Sequence, residues 1–346
     1  MKKCIEISLD GTEEQLSLLF SYSSTGQNSQ LATLEASISH TFNQTMQRDG
    51  FYGSWAQVIK NNDLYVLKMY SPHHDLSVYK RLIPAYLEAG KIAVSIYNEN
   101  INEITKTGID KMRFLLPFGL SMAKTKSVQL LHFPPLETFF YQDYLYSPTN
   151  RRWENLLGYN TLTETNYFEL ETIVDCVPIA AGGDDSADIA PYNEKFIPYV
   201  KKMLQSRLKA TGNKTQPIVA YGGPVMDFLQ KTFSDQIDPQ IKDGKLEPLS
   251  LVQLKLFDSD AITRVLCANH PSKYLYFTDD NKKADFKVKK EIMTQDLIAA
   301  GWQIKMAAHP NYSAKRVLQE MKDYWTNSSK VLKIMKQEDE SYGYKL

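Results

Sequence analysis

The chain has 346 residues, 43% apolar and 23% charged, a composition that excludes a disordered or collagen-like protein and suffices to bury a core without covalent staples. Forty Lys and Arg balance forty Asp and Glu, so a wholly basic nucleic-acid magnet is excluded and only local patches remain. Cys4, Cys176 and Cys267 are odd in number and far apart, which excludes a disulfide framework and a four-thiolate cluster. No apolar stretch approaches the ~18 residues of a membrane span, and MKKCIEISLDGTEEQ has no apolar signal core. A reducing, cytoplasmic setting is expected.

The first 110 residues carry no chemical motif. Apolar spacing predicts helices over 29–47 and 78–96, and DLYVLKMY (63–70) reads as a strand, so residues 1–110 are expected to form a mostly helical N-terminal region of separate role. From 111 to 346 the pattern changes. KSVQLLHF (126–133) is a short buried strand followed by a Pro/aromatic loop (134–150), and RRWENLLGY (151–159) is helical. YFELETIVDCVP (167–178) is a second strand, AAGGDDSADIAP (180–191) a loop, and 193–209 a helix. TQPIVAYGGP (215–224) reads as strand and turn, VMDFLQKTF (225–233) as a helix, and DAITRVLCANHPS (260–272) as strand and loop, with helices over 288–301 and 313–337. Strands alternating with helices at this spacing predict a three-layer α/β/α domain with a mainly parallel central sheet. Ligands of such sheets sit at the carboxyl ends of strands, where the Gly-Gly and His-Pro-Ser loops fall.

Charge is unevenly laid out. Trp153 to Glu194 holds nine Asp/Glu and no Lys or Arg, whereas Lys195 to Met226 holds six Lys/Arg and no acid. Lys282, Lys283, Lys287, Lys289 and Lys290 form a second basic run. These runs read either as solvated faces or as strips of phosphate contacts. GGDDSAD (182–188) lacks EF-hand spacing, His73-His74 and His309 have no partner at ligand spacing, and GGP (222–224) lacks the full phosphate-loop fingerprint. Neither a metal nor a cofactor is called for.

His270-Pro271-Ser272, within VLCANHPSKYLYF (265–277), is the most informative tripeptide. An imidazole on a loop after a strand can donate to an anionic oxygen, and the neighbouring hydroxyl and main-chain N–H groups can hold a phosphate. Tyr274 and Leu275 could wedge into a base stack.

In this context the chain resembles the uracil-DNA glycosylase superfamily over roughly 126–325. HPSKYLYF matches its His-Pro-Ser loop, PIVAYGGPVMDFLQ (217–230) its preceding strand and helix, TIVDCVP (172–178) its strand into a Cys-x-Pro turn, and PYNEKFIPYVKKML (191–204) the helix after its variable loop. SPTNRRWENLLGYN (147–160) is similar to the Pro-x-Asn-Arg-Phe-Trp segment of the mismatch-type uracil/thymine branch, and MTQDLIAAGW (293–302) falls where a closing helix is expected. The first catalytic motif departs from the family. In LLHFPPLETFFYQD (130–143) Pro134 stands where the water-handling Asp or Asn would be, and both glycines are missing. The base-reading Asn four residues before the Cys is Thr172, which offers one hydroxyl in place of a two-way amide.

The resemblance implies a DNA glycosylase that flips a modified or damaged pyrimidine from DNA and hydrolyses its N-glycosidic bond, with defence against phages carrying substituted cytosines as a fitting role. It implies His270 as donor to the departing base and Glu137 or Asp143 as the replacement acid beside the sugar. The base pocket would comprise His132, Phe139, Phe140, Tyr141, Thr172 and Asn269. Ser272, Lys273 and the backbone of Gly222 and Gly223 would hold phosphates, with Tyr274 and Leu275 as wedge. Two alternatives stay open: a non-catalytic nucleic-acid-binding protein on the same fold, and another α/β enzyme acting on a nucleotide or phosphate ester with GGP as its anion site.

Overall fold

The computed structural model describes residues 3–24, 33–106, 122, 126–132, 148–160, 171–179, 192–211, 216–233, 245–255, 262–275 and 286–342. The first part runs β1 (Lys3–Leu9), α1 (Glu13–Ser24), α2 (Leu34–Arg48), β2 (Trp55–Asn61), β3 (Leu64–Ser71) and α3 (Ser77–Lys106). Its strands form an antiparallel sheet in the order β1-β3-β2. The N-terminal region is therefore built on a sheet as well as helices, and the strands at both edges escaped the sequence pattern. In β2 only Ala56 and Val58 are buried, while Trp55 and Gln57 face outward, so its alternation carries little apolar contrast.

The second part runs β4 (Ser127–Leu131), α4 (Pro148–Asn160), β5 (Glu171–Asp175), α5 (Ile197–Thr211), β6 (Ile218–Tyr221), α6 (Gly223–Thr232), β7 (Leu251–Leu254), β8 (Thr263–Ala268), α7 (Ser272–Leu275), α8 (Phe286–Ala308), α9 (Ala314–Thr326) and α10 (Lys330–Ser341). The sheet order is β5-β4-β6-β8-β7. Four strands are parallel, and β7 joins antiparallel at one edge. Every residue of β4 and β6 is buried, as expected of parallel strands covered on both faces.

Successive strand residues feed two cores. Val128, Leu130, Val174, Ile218, Ala220, Val265 and Cys267 enter one with residues of α5 and α6. Leu131, Ile173, Val219, Tyr221, Leu266 and Ala268 enter the other with residues of α4, α8, α9 and α10. Helices thus cover both faces of a mostly parallel sheet.

Helix α8 is the centre of the second core, with Met293, Leu297, Ala300 and Trp302 wholly buried. Gly301 permits its close approach to α4 and α9, since a Cβ there would lie 2.6 Å from Asn160 Oδ1 and 2.7 Å from Met321 Sδ. Asn160 binds the crossing, accepting from Trp325 Nε1 at 2.9 Å and donating to Leu297 O at 3.1 Å.

The first core continues without a break into the N-terminal region, reaching Leu9, Leu67, Tyr79 and Leu87. Polar contacts follow the same seam. Lys202 of α5 pairs with Glu88 of α3 at 2.6 Å, and buried Arg207 donates to Tyr86 Oη. Buried Asp49 accepts from Tyr79 Oη and from the Met122 N–H.

Candidate functional site

The chain leaves β4 to build β5 on one side and returns to build β6 on the other. That reversal marks a topological switch point, and α/β sheets bind ligands outside the carboxyl ends of the strands at such points. His132 follows β4, Gly222 follows β6, and Asn269-His270 follow β8. The register keeps these ends level, with Leu130 opposite Ala220 and Tyr221 opposite Ala268.

His270 is held by its own loop. Ser272 Oγ lies 2.6 Å from Nδ1, and the Ser272 N–H donates to the same nitrogen at 3.3 Å. Nδ1 is thereby the acceptor, which assigns the proton of the neutral ring to Nε2. Burial, then the neighbouring His132 and Arg152, push the His270 pKa down to about 4. The ring is neutral at pH 7 and presents one N–H donor. His132 donates from Nε2 to Asn193 Oδ1 at 2.7 Å, and burial lowers its pKa too, against the opposing effect of Asn193.

Gly222 makes this packing possible. It sits at φ +87°, and a Cβ on it would come 3.3 Å from His270 Cβ. Gly223 has nothing within 4 Å of its Cβ position.

Behind the loop lies a buried charge network. Arg152, wholly buried, donates to Pro271 O at 2.9 Å and pairs with Asp296 at 2.8 Å and Glu338 at 3.7 Å. Its guanidinium lies 4.5 Å from the centre of the Tyr274 ring. Lys289 Nζ, on the same ring at 4.9 Å, pairs with Asp339 at 2.7 Å. Tyr274 Oη donates to Asp339 at 3.1 Å, and Tyr159 and Asn155 donate to Glu338 at 3.1 and 3.0 Å. Burial raises the Asp296 and Glu338 pKa values, with Arg152 pulling the other way. The backbone carbonyl next to His270 is fixed by a fully desolvated ion cluster drawn from α4, α8 and α10.

This geometry changes several expected roles. Tyr274 is no wedge: its ring is fully buried between two cations and its hydroxyl is engaged. Leu275 is half-buried against the same core. Asn269 does not read a base, because its amide donates to Gln295 and Asp296 at 2.8 and 3.2 Å and its oxygen accepts from Lys273 Nζ at 3.0 Å. The Gly222 N–H is used by Ala268 O at 2.9 Å, so it holds no phosphate. Ser272 turns its hydroxyl and N–H to His270. Lys273 remains exposed and Gly223 lies in the open.

Glu137, Asp143, Phe139, Phe140 and Tyr141 lie outside the described residues, as does the Thr172 side chain. The basic run from Lys195 meets α3 through Lys195, Lys202 and Arg207, and Lys289 is buried, so neither run is simply a phosphate strip.

Sequence reasoning missed Arg152, Asp296 and Glu338, whose ion pairs span more than a hundred residues, and Asp339, whose partners Lys289 and Tyr274 lie 50 and 65 residues away. It also passed over Asp175, buried at the carboxyl end of β5, one strand from His132. An acid closing the apolar run ETIVD was the available signal. Cys176 and Cys267 are buried and their thiols are pushed up by burial, Cys267 to about 12, which leaves them no thiolate character at pH 7.

No family model and no curated protein matches the chain. Among the described residues no helix is long and apolar enough to cross a membrane.

Proposed function

We propose that the protein is a DNA glycosylase, similar in fold to the uracil-DNA glycosylase superfamily, that excises a modified or damaged pyrimidine. The observation that carries this reading is the neutral His270, with Nδ1 occupied by Ser272 and Nε2–H left to donate at the carboxyl edge of the sheet. Breaking an N-glycosidic bond drives negative charge onto the departing base, and a preorganised donor stabilises it with no reorganisation. A neutral imidazole suits this task because it stays a donor without requiring a proton from solvent. Buried Arg152 braces the loop through Pro271 O, so the donor keeps its position as charge develops. In this reading Glu137 or Asp143, on the segment after His132, supports the cationic sugar and orients water.

The altered first motif and Thr172 in place of a base-reading Asn favour a substituted cytosine over plain uracil, and a role in defence against phages with such DNA. The test is to incubate the protein with duplexes carrying uracil, hydroxymethylcytosine or glucosylated cytosine and to count abasic sites. Base release from a modified duplex is expected, with a loss of about 100-fold or more in His270→Ala. No abasic product on any duplex at high enzyme defeats the catalytic reading. One observation favours the runner-up, a non-catalytic DNA-binding protein: Pro134 occupies the place of the acid. A Glu137→Gln, Asp143→Asn double variant that loses base release would eliminate it.

A further inference from the structure

We infer that the outer edge of β1 is a docking edge for a second copy of the chain. The second copy adds its own β1 antiparallel across a two-fold axis at Ile7, joining two three-stranded sheets into one of six strands. The inference stands apart from the chemistry assigned to His270.

The two edges of the N-terminal sheet are treated differently. At β2, side chains of α2 satisfy the outer main chain. Asn43 donates from Nδ2 to Ala56 O and accepts from the Ala56 N–H, both at 2.8 Å, and Ser39 Oγ accepts from the Val58 N–H at 2.8 Å. At β1 the main chain bonds to β3 on one side, and among the described residues nothing bonds to it on the other. Such an edge presents a row of N–H and C=O groups, a ready template for another strand. At seven residues it is longer than β5 with five or β7 with four, the edges of the larger sheet. Guards against pairing are few. The strand KCIEISL has no proline, and its acid, Glu6, is already paired with Lys68 of β3 at 3.0 Å.

The sequence of β1 fits a copy of itself. A continuous sheet keeps inward residues opposite inward ones, which places the axis on a residue and not between two. An axis at Glu6 sets that carboxylate against its own copy, a destabilising like-charge pair. An axis at Ile5 sets Lys3 opposite Ile7. An axis at Ile7 sets Ile5 of each copy opposite Leu9 of the other, and Glu6 opposite Ser8. The inward side is then apolar throughout, and Ile5, half-buried at the rim of the first core, gains cover. The strands pair only from Ile5 to Leu9, which buries little beside the roughly 800 Å² per partner of a standard interface. A reversible dimer with a dissociation constant on the order of 100 µM is therefore expected.

Analytical ultracentrifugation of the full chain from about 5 µM to about 1 mM tests the association, with amide hydrogen exchange read at both concentrations. Amides of β1 should gain protection at the high concentration, whereas those of β2, already bonded to α2, should not. Ser8 is exposed, so changing it leaves the core intact. Ser8→Glu puts a carboxylate opposite Glu6 twice across the axis and should weaken the dimer about threefold to tenfold, while Ser8→Lys should strengthen it by a similar factor. Gln57→Glu and Gln57→Lys, on the exposed outer face of β2, should change nothing. A chain that stays monomeric to 1 mM overturns the inference. So does a dimer indifferent to both Ser8 variants, or one whose β1 amides exchange equally at both concentrations. A dimer that responds to Gln57 and not to Ser8 assigns the contact to the outer face of the sheet and overturns the edge.

Discussion

An imidazole is useful as a neutral donor only if its surroundings refuse it a second proton, and His270 meets that condition through burial and the cationic Arg152 nearby. Its folded pKa of about 4 lies below the ordinary value of 6.5, so the folded state binds fewer protons than the unfolded chain between those limits. Stability is full above pH 6.5 and declines as pH falls toward 4. The His270 ring signals in an NMR titration should therefore stay constant from pH 8 to 5 and move only near pH 4; a midpoint near 6.5 would remove the neutral donor. Gly222 and Gly223 give a second expectation. Gly222→Ala places a side chain at φ +87° and 3.3 Å from His270 Cβ, which should cost about 1–3 kcal/mol and disturb the ring. Gly223→Ala meets open space and should stay within about 1 kcal/mol of the parent. Denaturant melts of the two variants provide the comparison. The position of His270 on a loop after a strand was legible because the apolar run before it is a local signal. Tyr274 and Asn269 were misplaced because adjacency in sequence does not say which way a side chain turns once a short helix begins at Ser272.

Among the elements, the parallel strands were the most readable, since burial on both faces writes them as continuous apolar runs such as SVQLL and IVAY. β7 was missed because an edge strand of four residues, with Gln253 exposed, has almost no pattern to find. The helical stretch expected over 313–337 is two helices, interrupted between Thr326 and Lys330. The inward turn of Arg152 rather than Arg151 was also hidden. Both belong to α4, and only packing against α8 and α10 selects the one that meets Asp296 and Glu338. This yields an expectation about α4. Arg152→Met leaves two desolvated carboxylates without their cation and should cost about 3–5 kcal/mol near pH 8. Those carboxyls, already raised by burial, would rise further, so the deficit should shrink as pH falls and they protonate. Urea unfolding at pH 8 and pH 5 measures the difference, and an equal loss at both would show that packing, not charge, accounts for it. Arg152→Lys should restore little, because an ammonium lacks the fork that reaches Pro271 O and Asp296 together.

For the molecule as a whole, the alternation of strands and helices was enough to anticipate helices on both faces of a mostly parallel sheet. The relation of the first 110 residues to it was not, because the joining contacts pair residues far apart in sequence. Arg207 reaches Tyr86, and Lys202 reaches Glu88, and neither pair leaves a local trace. The division near residue 110 is a change in sequence character, while the apolar interior runs straight across it. The ion cluster behind His270 has the same long-range character. Arg152 and Glu338 are 186 positions apart, and closing so wide a loop is slow. Glu338 thus ties the last helix, α10, to the same guanidinium that holds the Pro271 carbonyl. Local loosening of α10 would take Glu338 away from Arg152 and leave the guanidinium that holds the Pro271 carbonyl paired to Asp296, while the strands stayed in register.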